Sequence, residues 1–192
     1  YCHQKLKEYT QARDMFLQAD VLKPDNVWTN RHLATCYRMM SEYDKALVYY
    51  RKVEQVQPQN YNLLYNIGSC LVELNCFDEA LQHFFKLDFV EPDNLKTWRA
   101  VAWCAFMLKK HEQAQKYLDK ILEEKPTAFD YLNAGHVAWC LGDIKSAVKF
   151  YGKSSDITAD RSCFFDIFDK DKEHLVENGI DEYSISLMRE II

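Results

Sequence analysis

The amino-acid sequence predicts an all-α chain built as a tandem array of helix-turn-helix hairpins, and three observations carry that prediction. Proline recurs at Pro24, Pro58, Pro92 and Pro126 with a constant step of 34 residues. Cysteine keeps the same step at Cys2, Cys36, Cys70 and Cys104. Between these markers, apolar and small residues recur at helical spacing. A fixed period of about 20–50 residues marks a solenoid in which each unit buries its face against its neighbours.

Each unit's first helix carries a stripe at i, i+3, i+4, i+7, the spacing that gathers side chains on one helical face. The stripes are Asn30, Leu33, Ala34, Tyr37; Leu64, Ile67, Gly68, Leu71; Trp98, Val101, Ala102, Ala105; and Tyr131, Ala134, Gly135, Ala138. The third member is always Ala or Gly, small enough to let a second helix approach closely. The second helices answer with Ala12, Phe16, Ala19; Ala46, Tyr50, Val53; Ala80, Phe84, Leu87; Ala114, Leu118, Ile121; and Ala147, Tyr151, Ser154. Tyr9, Tyr43, Phe77, His111 and Ile144 mark the turns within the hairpins. Each second helix is expected to stop just before a proline, which cannot donate the i to i−4 hydrogen bond. Asp25, Asn26, Asn60, Asp93, Asn94 and Thr127 follow those prolines as candidate caps of the next helix.

In these recurring slots (Trp or Leu, Leu or Ile, Gly or Ala, Tyr, Ala, Phe or Tyr, and Pro) the chain resembles the tetratricopeptide-repeat proteins. The resemblance implies a right-handed superhelical solenoid of such repeats with a C-terminal capping segment. Full repeats fall at about 27–60, 61–94, 95–127 and 128–161, after a partial first repeat at 1–26. The departures are Asn30 for a bulky apolar residue, His111 for the turn aromatic, Ser154 for an apolar residue, a one-residue deletion after Pro126, and Ala159 where the last unit lacks its proline.

Residues 1–22 read as the end of a first helix followed by a whole second helix, so the natural protein is expected to extend upstream. After Arg161 the small-residue slot is lost, with Asp169 in its place, and helices are expected near 162–178 and 181–192 around Gly179. This 162–192 segment suits the cap a solenoid needs over its last apolar face. Asp169, Asp171 and Glu173 resemble the start of a calcium loop, but His174 stands where that loop needs Gly, so the run reads as solvated charge.

The 192 residues carry 24 basic and 29 acidic side chains, a net charge of −5. That balance argues against nucleic acid, because phosphate binding shows as a basic surplus. No apolar run approaches the roughly 18–20 residues that span a bilayer, and no signal-peptide pattern opens the chain, so no membrane partner is expected. The cysteine ladder recurs once per repeat, and packed helices lie roughly 8–10 Å apart, beyond the reach of about 7 Å between Cα atoms that a disulfide tolerates. Free thiols suit a cytoplasmic location. No cysteine and histidine cluster has tetrahedral zinc spacing, the nearest being Cys70, Cys76 and His83 on different helices, so neither metal nor cofactor is expected.

A second row runs along the first helices, away from the packing stripe: Trp28, Arg31, Thr35, Arg38; Asn62, Tyr65, Ser69, Val72; Lys96, Arg99, Trp103, Phe106; and Phe129, Leu132, His136, Trp139. In the family that the chain resembles, this row lines a concave groove. It gathers Arg31, Arg38, Lys96 and Arg99 with no carboxylate among them, and Trp28, Tyr65, Trp103, Phe106 and Trp139 beyond what the hairpin cores need. Aromatic and Arg side chains are enriched at binding hot spots, and an Arg fork takes a carboxylate with two hydrogen bonds. The predicted ligand is therefore a peptide with acidic groups, held by Trp28, Arg31, Arg38, Asn62, Tyr65, Asn66, Lys96, Arg99, Trp103, Phe106 and Trp139. The opposing reading has the aromatics filling space between first helices and the arginines pairing with acidic neighbours.

One subset of the family grips acidic chaperone tails through a carboxylate clamp. The match is partial: Arg31 stands at the first Lys slot, Asn66 and Lys96 agree, Thr35 replaces an Asn, and Arg99 precedes the Arg slot, which holds Ala100. A shift of one residue turns a helical side chain by about 100°.

No Gly-rich phosphate loop, G-x-S-x-G elbow or H-E-x-x-H appears, and His32, His83, His111, His136 and His174 fall on separate helices, so catalysis is not expected. The sequence predicts a non-catalytic module that binds a protein or peptide. Two alternatives are a recruiting arm for an upstream catalytic domain and a scaffold that self-associates through the apolar finish at Leu187, Met188, Ile191 and Ile192.

Overall fold

The computed structural model describes residues 2–158 and 160–192, with side chains from residue 5 onward. Tyr1, Ala159 and the side chain of Cys2 lie outside the described residues, and so do the expectations placed on them. Among the described residues there are twelve helices: α1 (Cys2–Leu22), α2 (Val27–Met39), α3 (Tyr43–Val56), α4 (Tyr61–Glu73), α5 (Phe77–Val90), α6 (Leu95–Met107), α7 (His111–Glu123), α8 (Ala128–Cys140), α9 (Ile144–Ile157), α10 (Arg161–Lys170), α11 (Lys172–Glu177) and α12 (Glu182–Ile191). They form two compact units, Tyr1–Pro92 and Asp93–Ile192.

In the first unit α2 pairs with α3 and α4 with α5; in the second, α6 pairs with α7 and α8 with α9. The predicted stripes of α2 to α9 are buried apart from half-buried Tyr131, and that of α1 (Ala12, Phe16, Ala19) is half-buried. Leu33, Ala34, Ala46, Tyr50 and Val53 close one hairpin, and Ile67, Ala80, Phe84 and Leu87 the next, all at most 1% exposed. The small slot does the work expected of it. A Cβ added at Gly68 would meet the Phe84 ring at 2.7 Å, and one at Gly135 would enter the Tyr151 ring.

Tyr43, Phe77, His111 and Ile144 are the first residues of α3, α5, α7 and α9. The turn before each has one hydrogen-bond pattern. Ser41 N–H donates to the Arg38 carbonyl and Glu42 N–H to that of Tyr37, and the pattern recurs with Asn75 and Cys76, Lys109 and Lys110, and Gly142 and Asp143. This pair of hydrogen bonds closes a helix end and requires a residue of positive φ. Ser41, Asn75, Lys109 and Gly142 supply it at 58°, 58°, 57° and 82°.

Between hairpins, Asn26, Asn60, Asn94 and Thr127 cap α2, α4, α6 and α8 through their side chains. Asp25 and Asp93, expected as further caps, instead take positive φ of 57° and 62° in the turn. Asp tolerates that conformation, which leaves the following Asn in extended backbone, free to cap.

Two expectations are corrected. Residues 2–22 form one continuous helix rather than a helix end, a turn and a second helix. A positive φ at a non-Gly residue costs about 1–2 kcal/mol, and Lys5, Leu6, Lys7 and Glu8 are exposed and bury little that would offset it, so the helix continues. In place of one helix over 162–178, the chain breaks at Asp171, where α10 ends and α11 begins.

Candidate functional site

The predicted row divides between the two units, and its two parts differ. On the first unit, Trp28 is 60% exposed and rests against His32 and Phe16 with ring centroids 4.1 and 5.4 Å away. Arg31 is exposed and donates to the side-chain oxygen of Gln57. Arg38 is half-buried, and its Nε has no hydrogen-bond partner among the described residues. The Arg38 guanidinium lies near the hydroxyl of Tyr50, itself 1% exposed, which bonds neither Arg38 nor Thr35. Burial pushes the Tyr50 pKa up, and nearby Thr35 and Arg38 oppose that rise. On α4, Asn62 is exposed, while Tyr65 and Asn66 are half-buried, with the Tyr65 ring 5.7 Å from Phe84.

Elsewhere the arginines are paired. Arg13 meets Asp14, Arg51 meets Glu79, Arg99 meets Asp130 and Arg189 meets Asp169, while Arg161 donates to the Ile192 carbonyl. The two arginines of α2 have no carboxylate partner among the described residues. They lie seven residues apart, on one helical face.

On the second unit the row is largely occupied. Lys96 is exposed. Arg99, predicted as a groove cation, binds Asp130 Oδ1 and Oδ2 at 2.8 Å each. Phe106 and Trp139, predicted to face a ligand, are only 2% and 6% exposed, and Trp103 is half-buried. This corrects the expectation for those aromatics. The His174 ring stands edge-on to Trp103 at 5.4 Å, and Met188 and Ile191 share a shallow cavity with Trp139.

Histidines of the repeat helices are part of the same cover. His136, 1% exposed, faces the Tyr151 hydroxyl at 2.8 Å through Nδ1 and Asp171 Oδ2 at 3.2 Å through Nε2. His111 Nε2 lies 2.7 Å from Asn178 Oδ1. Asp171 and His174 are thus engaged by the repeat helices rather than solvated, as the reading of 169–174 as free charge had it. The spacing of 171, 174, 175 and 178, which is one helical face, was the available signal. Asp130 was missed as well. Thr127 and Asp130 form a capping box after Pro126, a pattern legible as Thr-x-x-acid.

Among the described residues no group of three side chains is placed to hold a metal ion, and no helix is long and apolar enough to cross a membrane.

A tetratricopeptide-repeat family model matches residues 101–128. None of the curated proteins compared with the chain matches it in sequence. Among solved structures, the chain is similar to YrrB, a TPR protein with an unusual peptide-binding site, at 18% identity and a TM-score of 0.74 over 85% of each chain. It is also similar to MamA of MSR-1, at 18% identity and a TM-score of 0.70, over 81% of this chain and 90% of that one. MamA from Desulfovibrio magneticus RS-1 aligns at 15% identity and a TM-score of 0.69, over 86% and 90%. The hairpins, the recurring slots and these matches define a chain of stacked tetratricopeptide hairpins. The chain has the tetratricopeptide-repeat fold.

Proposed function

We propose that the chain is a non-catalytic protein-interaction module that seats an acidic peptide on the α2 and α4 row of its first unit. The observation that carries this reading is the pair Arg31 and Arg38, two guanidiniums on one helical face without a carboxylate partner among the described residues. A peptide carboxylate gives the Arg38 guanidinium a charged acceptor, its Nε having none among the described residues. Exposed Trp28 offers an apolar platform beside Arg31, and Asn62 and Asn66 offer amides to a peptide backbone. Hydrogen bonds between charged partners contribute about 1.5–3 kcal/mol each. YrrB, similar in fold, has a peptide-binding site of its own. The second unit contributes less, since Arg99 is already bound to Asp130. The reduced, buried thiols of Cys36, Cys70 and Cys104 fit a cytoplasmic setting.

Selection from a peptide display library tests this reading. The wild-type chain is compared with an Arg31→Glu, Arg38→Glu variant shown by circular dichroism to be folded. Wild type is expected to enrich acidic peptides and the variant to lose them. Enrichment of the same peptides by both, or of none by either, overturns the reading.

A further inference from the structure

The repeats differ at a pair of positions that their common register makes comparable. The first member of the packing stripe is Asn30, Leu64, Trp98 or Tyr131, and each second helix carries a lysine at one matching position: Lys52, Lys86, Lys120 or Lys153. In the last two repeats the lysine covers the ring of the stripe. Lys120 Nζ lies 4.9 Å from the Trp98 ring centroid and Lys153 Nζ 5.0 Å from that of Tyr131. In the first repeat Lys52 instead pairs with Asp25 and lies over Tyr49. The second repeat has Leu64 in place of a ring, and its Lys86, with no ring beneath it among the described residues, lies 3.9 Å from Glu54.

Beside Leu64 a cavity of about 630 Å³ opens between α5 and the start of α4, walled by Pro58, Leu64, Phe85 and Phe89 and rimmed by Gln82 and Lys86. Ligand clefts usually measure roughly 300–1,000 Å³. The row residues Asn62, Tyr65 and Asn66 take no part in it. Phe89 is 88% exposed, and the matching residues of the other full repeats are Gln55, Glu123 and Asp156. Phe85 likewise stands where Arg51, Asp119 and Gly152 stand in those repeats. Two phenylalanines one helical turn apart, at positions that are otherwise polar or bare, form a patch rather than scattered apolar exposure.

We propose that this cavity is a docking site for an aromatic side chain, Trp or Tyr, of a protein partner. The chain's own repeats set the chemistry of the occupant, since an indole and a phenol lie beneath the matching lysines in the third and fourth repeats. The incoming ring is buried against Leu64 and Phe89 and takes Lys86 over its face. Trp and Tyr are residues that anchor interfaces by filling such pockets. The exposed Gln82 amide at the rim is placed to bond the polypeptide that carries the ring. The inference does not rest on acidic-peptide binding by the α2 and α4 row.

N-acetyl-tryptophanamide, titrated into the full chain and followed through its backbone amide signals by NMR, tests the proposal. Saturable shifts are expected at residues 58–64 and 82–90. N-acetyl-leucinamide, apolar but without a ring, is expected to bind about fivefold more weakly. Lys86→Gln should weaken the tryptophan amide about threefold. Phe89→Ala, at an exposed site that leaves the core intact, should remove the shifts, and so should Leu64→Trp, which supplies the ring from within. The Arg31→Glu, Arg38→Glu variant should keep them. Absence of saturable shifts, equal binding of the leucine amide, or unchanged binding by Phe89→Ala overturns the proposal, and Phe89→Ala decides the case should Leu64→Trp unfold. The same shifts on raising the protein concentration without the amide overturn a foreign partner and make the occupant a second copy of the chain.

Discussion

Asp130 holds Arg99 with both carboxylate oxygens, and its Oδ2 also accepts from the backbone N–H and hydroxyl of Thr127. One side chain, 2% exposed, thus caps α8 and ties it to α6. The cation read from the sequence as a groove residue is the structural partner of an acid 31 residues away.

Acid is expected to loosen this joint. Burial raises the Asp130 pKa, but the bonds from Arg99 and Thr127 outweigh it and hold the carboxyl below its usual range. A carboxyl depressed in the folded state stabilises fully above its unfolded pKa of about 3.9, and that contribution is lost as pH falls through the folded value. The urea midpoint should therefore drop below about pH 4, and Asp130→Asn should flatten this part of the profile. Asp130→Ala should cost about 2 kcal/mol at neutral pH. An unchanged acid limb in Asp130→Asn would assign the acid sensitivity to other carboxyls.

The two helical glycines of the second unit should respond oppositely to alanine. At Gly135 the new methyl collides with the buried Tyr151 ring, whereas at Gly152 it meets nothing within 4 Å. Gly135→Ala should destabilise by about 1–3 kcal/mol, as overpacking does. Gly152→Ala should stabilise by up to about 1 kcal/mol through helix propensity. Chemical denaturation of the pair reads both signs, and a neutral Gly135→Ala would mean that Tyr151 has room to shift.

Lys109 occupies the same positive-φ turn position as Gly142, at φ 57°. Removing its Cβ relieves that backbone, so Lys109→Gly should raise stability by about 1 kcal/mol. The reverse exchange, Gly142→Ala, should lower it by a similar amount. Thermal melts of the two variants should move in opposite directions.

The hairpins were legible because their slots are chemically strict. Only a small residue fits beside Phe84 or Tyr151, and only a position whose N–H is not needed accepts proline. The turns were less legible because Ser41, Asn75 and Lys109 perform a task usually assigned to glycine, and the surrounding packing compensates. In the candidate site, the sequence grouped these residues on one face of the first helices but could not say what lies against them. Arg99 and Arg38 look alike in the pattern, yet one is neutralised by a capping acid and the other is not. Trp139 looked available because the segment that covers it departs from the repeat, and its chemistry is readable only once the break at Asp171 is known.

The cysteines of the repeat slot have a practical use. Burial raises the Cys36 thiol, carries Cys70 up to about 11 and Cys104 up to about 12, and so suppresses the thiolate that alkylating reagents attack. Cys76 and Cys163 are exposed, one on each unit. Among the described side chains, a maleimide dye or spin label would choose these two. The native chain thus carries a reporter site on each unit for measuring the spacing between them in solution.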